Sequence, residues 1–271
     1  MDDDEGAELE RDDVLREMEK TRKSIRLLPE FLAATSKDWK ERENRILDHV
    51  VLSPHISFDV REDGFMEDWA VIEIDDSKVD FTNFVGNVID LGTAISIAEF
   101  MTWMTPHAGA LEPPRSFHYP TNRLLELRGT VSDGEIWKDS PKTHNNNNNN
   151  HNDPYIMVLK RGYASGLTVG RLNTIRSLTK VYSSKDRSLP GQMSNEIAVL
   201  PRDSTPSGAF AVPGDSGSAV VDGKGRIVGL LNGGAGGAED SDCTYVTSIN
   251  FLLKRMLEHG LEANLSPSLD I

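Results

Sequence analysis

Residues 213–236 read PGDSGSAVVDGKGRIVGLLNGGAG. The first six, Pro213-Gly214-Asp215-Ser216-Gly217-Ser218, set a serine between glycines. A nucleophilic serine needs a tight turn that exposes its hydroxyl, and backbone N–H groups aimed at the oxygen of a tetrahedral intermediate. Flanking glycines permit such a backbone. Alone, the four residues Gly-Asp-Ser-Gly are also ordinary turn chemistry. The downstream sequence sharpens the reading. A strand (SAVVD, 218–222) comes at once, then a turn (DGKGR), then a strand (RIVGLL, 226–231) ending in the small residues NGGAGG. A last strand (TYVTSI, 244–249) and an amphipathic helix (250–260) close the pattern, with Gly260 at the helix C-cap.

Upstream, the same grammar repeats. LLELRGTV (124–131), YIMVLKRG (155–162), LTVGRLNTI (167–175) and EIAVL (196–200) are short, β-branched and bounded by turn residues. About seven such strands without intervening helices predict a closed or nearly closed antiparallel barrel. Earlier still, HVVLS (49–53), ISFDV (56–60), WAVIEI (69–74) and residues 86–92 read as strands, and 95–104 as a short helix. Residues 105–120 read as a linker, and the His144–Asn152 tract as a low-complexity loop.

The beginning differs. Residues 1–13 form an acidic run, expected to be a solvated tail. From about residue 7 to 43 the pattern is helical, with Leu15, Met18, Ile25, Leu28 and Leu32 on one face. Pro29 should kink or split this helix. Such a stripe needs a partner helix, and the chain offers no second helix of matching character.

Composition bounds the function. The 271 residues carry 29 basic and 43 acidic side chains, a net charge of −14. That balance argues against a nucleic-acid surface and against a polybasic membrane anchor. The single cysteine, Cys243, excludes an intramolecular disulfide framework. With no signal-peptide layout and no spanning apolar run, the expected localisation is cytoplasmic.

These stretches together resemble the chymotrypsin/trypsin-like serine proteases. GDSGSAVVDGKGRIVGLLNGG is similar to their nucleophile loop, the hairpin after it and the substrate-pocket strand; TYVTSINFLLKRM is similar to their last strand and C-terminal helix. More closely, HVVLSPHISF, EDWAVIEID, NVIDLGT and KRGYASGLTVGRLN resemble uncharacterised fungal proteins with trypsin-like domains, over most of residues 45–262. The resemblance implies a mostly β, chymotrypsin-like double β-barrel, its first barrel incomplete, with an N-terminal long helix and a C-terminal helix. The implied divisions are 1–44 (acidic start and helical arm), 45–104 (first-barrel remnant), 105–120 (linker), 121–262 (second barrel) and 263–271 (tail). Ser216 then matches the nucleophile, the amides of Gly214 and Ser216 the oxyanion hole, and Asp68, which precedes an apolar strand, the triad aspartate. Phe210 matches the floor of the substrate pocket, and Asn232, Gly233 and Gly234 the strand edge that pairs with an extended peptide. With no acid at Phe210, cleavage after Lys or Arg is not expected. No cofactor or metal is implied; the implied partner is a polypeptide, with a helix partner or self-association through residues 15–32.

One member of the constellation is missing. Only His49 and His55 precede Asp68, and neither sits in a Thr-Ala-x-His-type turn. His107 and His118 fall in the linker, His144 and His151 in the Asn-rich tract, and His259 in the final helix. In the fungal proteins that the chain resembles, a helical hairpin lies between the histidine turn and the aspartate strand. The acidic start and single helix look like the tip and second arm of that hairpin, with the histidine turn expected before Met1. Without it, a binding protein or a helix-mediated interaction module are the rival readings. Mapping the 5′ end of the transcript checks this: the expected outcome is an upstream frame encoding a Thr-Ala-x-His-type turn and a second helical arm.

Overall fold

The computed structural model describes residues 2–105, 117–137, 155–182, 191–202, 208–235 and 243–267. His107, His144 and His151 lie outside the described residues. The chain divides into two compact units, residues 1–51 with 71–79, and residues 52–70 with 80–271.

In the first unit, α1 (Asp2–Trp39) is one continuous helix of 38 residues. It begins earlier than the periodicity predicts, because acidic residues at a helix start are favoured by the N-terminal end of the macrodipole. It is not split at Pro29, which lies inside it. Leu15, Met18, Ile25, Leu28 and Leu32 are all exposed. β1 (Val50–Leu52) pairs with β4 (Val71–Ile72). The amides of Glu73 and Asp75 extend that pairing by donating to the carbonyls of His49 and Leu47.

In the second unit the long strands close on themselves. β7 (Tyr155–Gly162), β8 (Gly166–Val181), β9 (Gln192–Pro201), β10 (Ala219–Asp222), β11 (Ile227–Ala235) and β12 (Cys243–Ser248) form a closed barrel in the order β10-β11-β12-β9-β8-β7. Every pairing in it is antiparallel. Closure leaves no free edge, and Val158, Leu172, Val199, Val220, Val228 and Val246 fill the interior. β8 and β9 run longer than their sequence patterns suggest. A register irregularity between Leu172 and Arg176 lets their far arms pair from Arg176↔Ile197 to Val181↔Gln192. Leu178 and Val181 on that extension, and Tyr182 just past it, are exposed, so no buried apolar face marks it in the sequence.

Three smaller pieces attach to this unit. β2 (Ser57–Val60) and β3 (Phe65–Glu67) form a hairpin that the sequence reading catches only in its first strand. β5 (Val88–Asp90) pairs with β6 (Leu124–Glu126), so the 124–131 segment is not a barrel stave. It touches the barrel ladder at Thr130, through a parallel bridge to Ile227. Helices α2 (Ile97–Trp103), α3 (Asp133–Ile136) and α4 (Ile249–Glu258) complete the fold. α3 carries a capping box between Ser132 and Glu135, satisfying two amides that a helix start leaves open.

A charged clamp joins β3 to α4. Arg255 donates to both oxygens of Glu67, at 2.9 and 3.0 Å, and Trp69 Nε1 donates to the same carboxylate at 3.2 Å. The ring of His259 stands edge-on to Trp69, its Nε2 3.7 Å from Glu67. Burial alone would raise the Glu67 pKa, but the bonds from Arg255 and Trp69 outweigh it and hold the carboxyl below its usual range. Glu135, bonded by Arg226 at 2.9 Å, is lowered to about 2. A depressed carboxyl stabilises the fold above its unfolded pKa and loses that contribution as pH falls through the folded one. Acid titration followed by tryptophan fluorescence is therefore expected to show stability falling from about pH 4.5 downward, with Trp69 reporting release of Glu67. Arg255→Met, which takes from the buried Glu67 its guanidinium partner, should cost roughly 3–5 kcal/mol in chemical denaturation at neutral pH.

Candidate active site

The loop between β9 and β10 is organised around one buried anion. Asp215 is almost wholly buried, and its carboxylate is met by several donors. Lys160 Nζ, itself fully buried on β7, lies 3.1 Å away. Ser165 Oγ donates at 2.6 Å, and the amides of Ala164, Ser165 and Val212 donate at 2.9, 3.1 and 3.1 Å. Burial pushes this carboxyl up, but the bonds from Ser165, Val212 and Lys160 overcome that and hold it far below the usual range. Gly162 makes room for it: a Cβ there would sit 2.2 Å from Asp215 Oδ1.

With Asp215 turned inward, its neighbours turn outward. Gly214 adopts φ 105° and Gly217 φ 83°, conformations that a side chain disfavours. Ser216 between them is exposed. The amides of this turn divide cleanly. Asp215 N donates to Val212 O, Gly217 N to Leu231 O and Ser218 N to Asp215 O. The amides of Gly214 and Ser216 donate to no acceptor among the described residues. Two free N–H groups thus flank the exposed hydroxyl.

Beside Ser216 opens a cleft of about 250 Å³, lined among the described residues by Ala211, Val212, Pro213, Leu231, the Gly233–Ala235 strand and Thr244. Gly233 and Gly234 leave its wall without side chains. Asn232 is displaced from that wall by a bulge: Leu231 pairs with Val246 and Gly233 with Tyr245, leaving Asn232 as the extra residue. Its amide nitrogen donates to Thr247 Oγ1 at 2.8 Å, and Thr247 donates to Glu196 at 3.1 Å. Met66 N also donates to Glu196. Burial raises the Glu196 pKa, and these bonds only partly offset it. Nothing in the one-dimensional pattern of β9 marks Glu196 as a buried acid.

The sequence-nominated residues therefore separate. Ser216, Gly233 and Gly234 share the cleft, and Gly214 borders it. Phe210 is buried behind that lining, its ring close to Gly170, where a Cβ would come within 2.7 Å, and its carbonyl accepts from Thr168. Asp68 is exposed, between the buried Glu67 and Trp69. Among the described residues no hydrogen bond joins a histidine to Asp68 or to Ser216. His259 belongs to the Glu67 clamp. His49 is held by Asp48 at 2.6 Å and lies 3.6 Å from Glu73. These three are the described residues whose ligand atoms cluster closely enough for a metal, and all are exposed. The bond from Asp48 raises the His49 pKa, favouring a protonated ring over a metal ligand.

No protein-family model matches the chain, and no curated protein sequence matches it. Among solved structures, the Nocardiopsis protease NAPase is similar over 51% of this chain and 55% of its own, at 18% identity and TM-score 0.31. Cellulomonas bogoriensis chymotrypsin is similar over 41% and 50%, at 20% identity and TM-score 0.28. Thermobifida fusca protease A is similar over 52% and 56%, at 16% identity and TM-score 0.30. The chain spans about half the length of these structures. At such values the likeness lends no weight to a shared chemistry, and the site stands on its own geometry.

Two substitutions test whether Asp215 organises the loop. Lys160→Met strands a buried anion and should cost roughly 3–5 kcal/mol by chemical denaturation. Gly162→Ala, by displacing Asp215, should destabilise the protein by several-fold more than Ser216→Ala, whose side chain is exposed and unbonded; surface changes of that kind usually stay within about 0.5 kcal/mol. Equal stability of all three variants would remove Asp215 from that role.

Proposed function

We propose that this chain carries the nucleophile half of a chymotrypsin-type serine endopeptidase site. Its architecture is then a double barrel whose first barrel is incomplete. The observation that carries this reading is the pair of unbonded amides, Gly214 and Ser216, beside an exposed serine hydroxyl and an open cleft. In the mechanism, Ser216 Oγ attacks the carbonyl carbon of a peptide. The carbonyl oxygen takes the negative charge and is met by the two amides. Each such donor is worth about 10²–10³ in turnover. Collapse of the tetrahedral species expels the amine and leaves an ester on Ser216, which water then hydrolyses. Asp68 orients the imidazole that carries the protons between these steps. No described histidine occupies that place, and on this reading the base is the component still to be supplied. Losing it costs on the order of 10⁶ in turnover, leaving about 10³–10⁴ over water from the oxyanion hole and binding. On this reading, peptide-bond hydrolysis without such a base is nearly abolished.

A protein that binds peptides without cutting them is the second reading, favoured by the lack of a histidine at Ser216 among the described residues. Acylation separates the two. An activated p-nitrophenyl ester should acylate Ser216 slowly, with added imidazole accelerating the reaction and Ser216→Ala abolishing the adduct in intact mass spectra. Equal labelling in Ser216→Ala, or none in the unaltered chain with imidazole present, would leave the binding reading in place.

The exposed face of α1 supports a further element of the proposal, self-association through residues 15–32. Sedimentation across concentration should show a monomer–dimer equilibrium that Ile25→Glu shifts to monomer. A strict monomer at all concentrations would dismiss it.

A further inference from the structure

The hydroxyl of Thr244 is buried and has no hydrogen-bond partner among the described residues. Thr244 is 1% exposed, yet it lines the cleft beside Ser216. Buried hydroxyls in native proteins are nearly always bonded, and leaving one unmet is costly. Its neighbours in the ladder explain why they offer none. Thr244 pairs across β12 with Gly234 on one side and Val199 on the other. Glycine has no side chain and valine no polar atom.

The rest of the described lining is apolar or glycine apart from Ser216, and carries no charged side chain. A guest with an ionised side chain would enter it unpaired, at a desolvation cost of several kcal/mol. A purely aliphatic guest would leave the threonine hydroxyl unmet. The cleft volume, about 250 Å³, is below the roughly 300–1,000 Å³ of sites for drug-sized ligands and suits one side chain. A hydroxyl both donates and accepts, so it matches either end of a carboxamide.

We propose that Thr244 is a specificity-determining residue, and that the cleft selects a peptide side chain that is uncharged and ends in a hydrogen-bonding group, glutamine being the best fit. The inference rests on reading this cleft as the peptide site of Ser216.

The probes are fluorescein-labelled peptides with alanine at every position except a central Gln, Met or Glu, so that one side chain alone can fill the cleft. Anisotropy is measured with the full chain, with Thr244→Val, and with Gly233→Phe. The last variant fills the cleft without crowding the fold, since a Cβ at Gly233 meets nothing within 4 Å. The expected result is that the Gln peptide binds about ten-fold more tightly than the Met peptide, the worth of one hydrogen bond otherwise left unmade. Thr244→Val should erase that difference, and Gly233→Phe should abolish binding of both. Thr244→Val should also unfold no earlier in denaturant, because it removes an unsatisfied group and keeps the shape. Binding without a Gln preference, a preference that survives Thr244→Val, or a loss of stability in that variant overturns the role of Thr244 and leaves the cleft standing. No binding of any peptide, or binding that ignores Gly233→Phe, overturns the peptide-site reading itself.

Discussion

A buried carboxylate that cannot be left unpaired governs this molecule. Asp215 has almost no access to water, so its charge has to be met from within, by Lys160, Ser165 and three amides. Meeting it fixes the direction of the side chain, and that direction fixes the turn. Once Asp215 points inward, Ser216 is left exposed, with the amides on either side of Asp215 unbonded beside its hydroxyl. A buried pair of this kind need not add net stability over a hydrophobic substitute. Its role here is geometric: it leaves one favourable conformation of the loop.

The same principle works at a second place. Glu67 and Trp69 alternate inward around Asp68, and Arg255 holds Glu67 from α4. A strand pair of a few residues has little cooperativity of its own. Tied to the terminal helix and, through Met66 N, to Glu196, β3 acquires a fixed register and presents Asp68 to solvent rather than to the core.

Much of this is legible in the sequence. The turn residues at 213–218 and the β-branched runs after residue 155 mark the strands of the barrel, because alternation and glycine punctuation are local signals. The long arms of β8 and β9 escape, since exposed Leu178 and Tyr182 carry no burial pattern. β6 is a strand as its composition suggests, but its partner is β5; partner choice is a tertiary fact that propensity does not encode. The site divides in the same way. Ser216 and the glycines around it announce themselves through backbone demands. Lys160, Glu196 and Thr244 do not, for their importance lies in what faces them across the barrel. Ser165 meets Asp215 from 50 positions away, and Glu196 meets Thr247 from 51. The acidic start reads as a tail by charge and is nevertheless helical, because charge density describes solvation and not backbone conformation.

All the groups that meet Asp215 come from β7, the turn after it and the loop itself, within a single barrel. The turn around Ser216 is therefore set when that barrel closes. A loop held from within one barrel keeps its conformation for as long as that barrel stays folded, whatever else the protein meets.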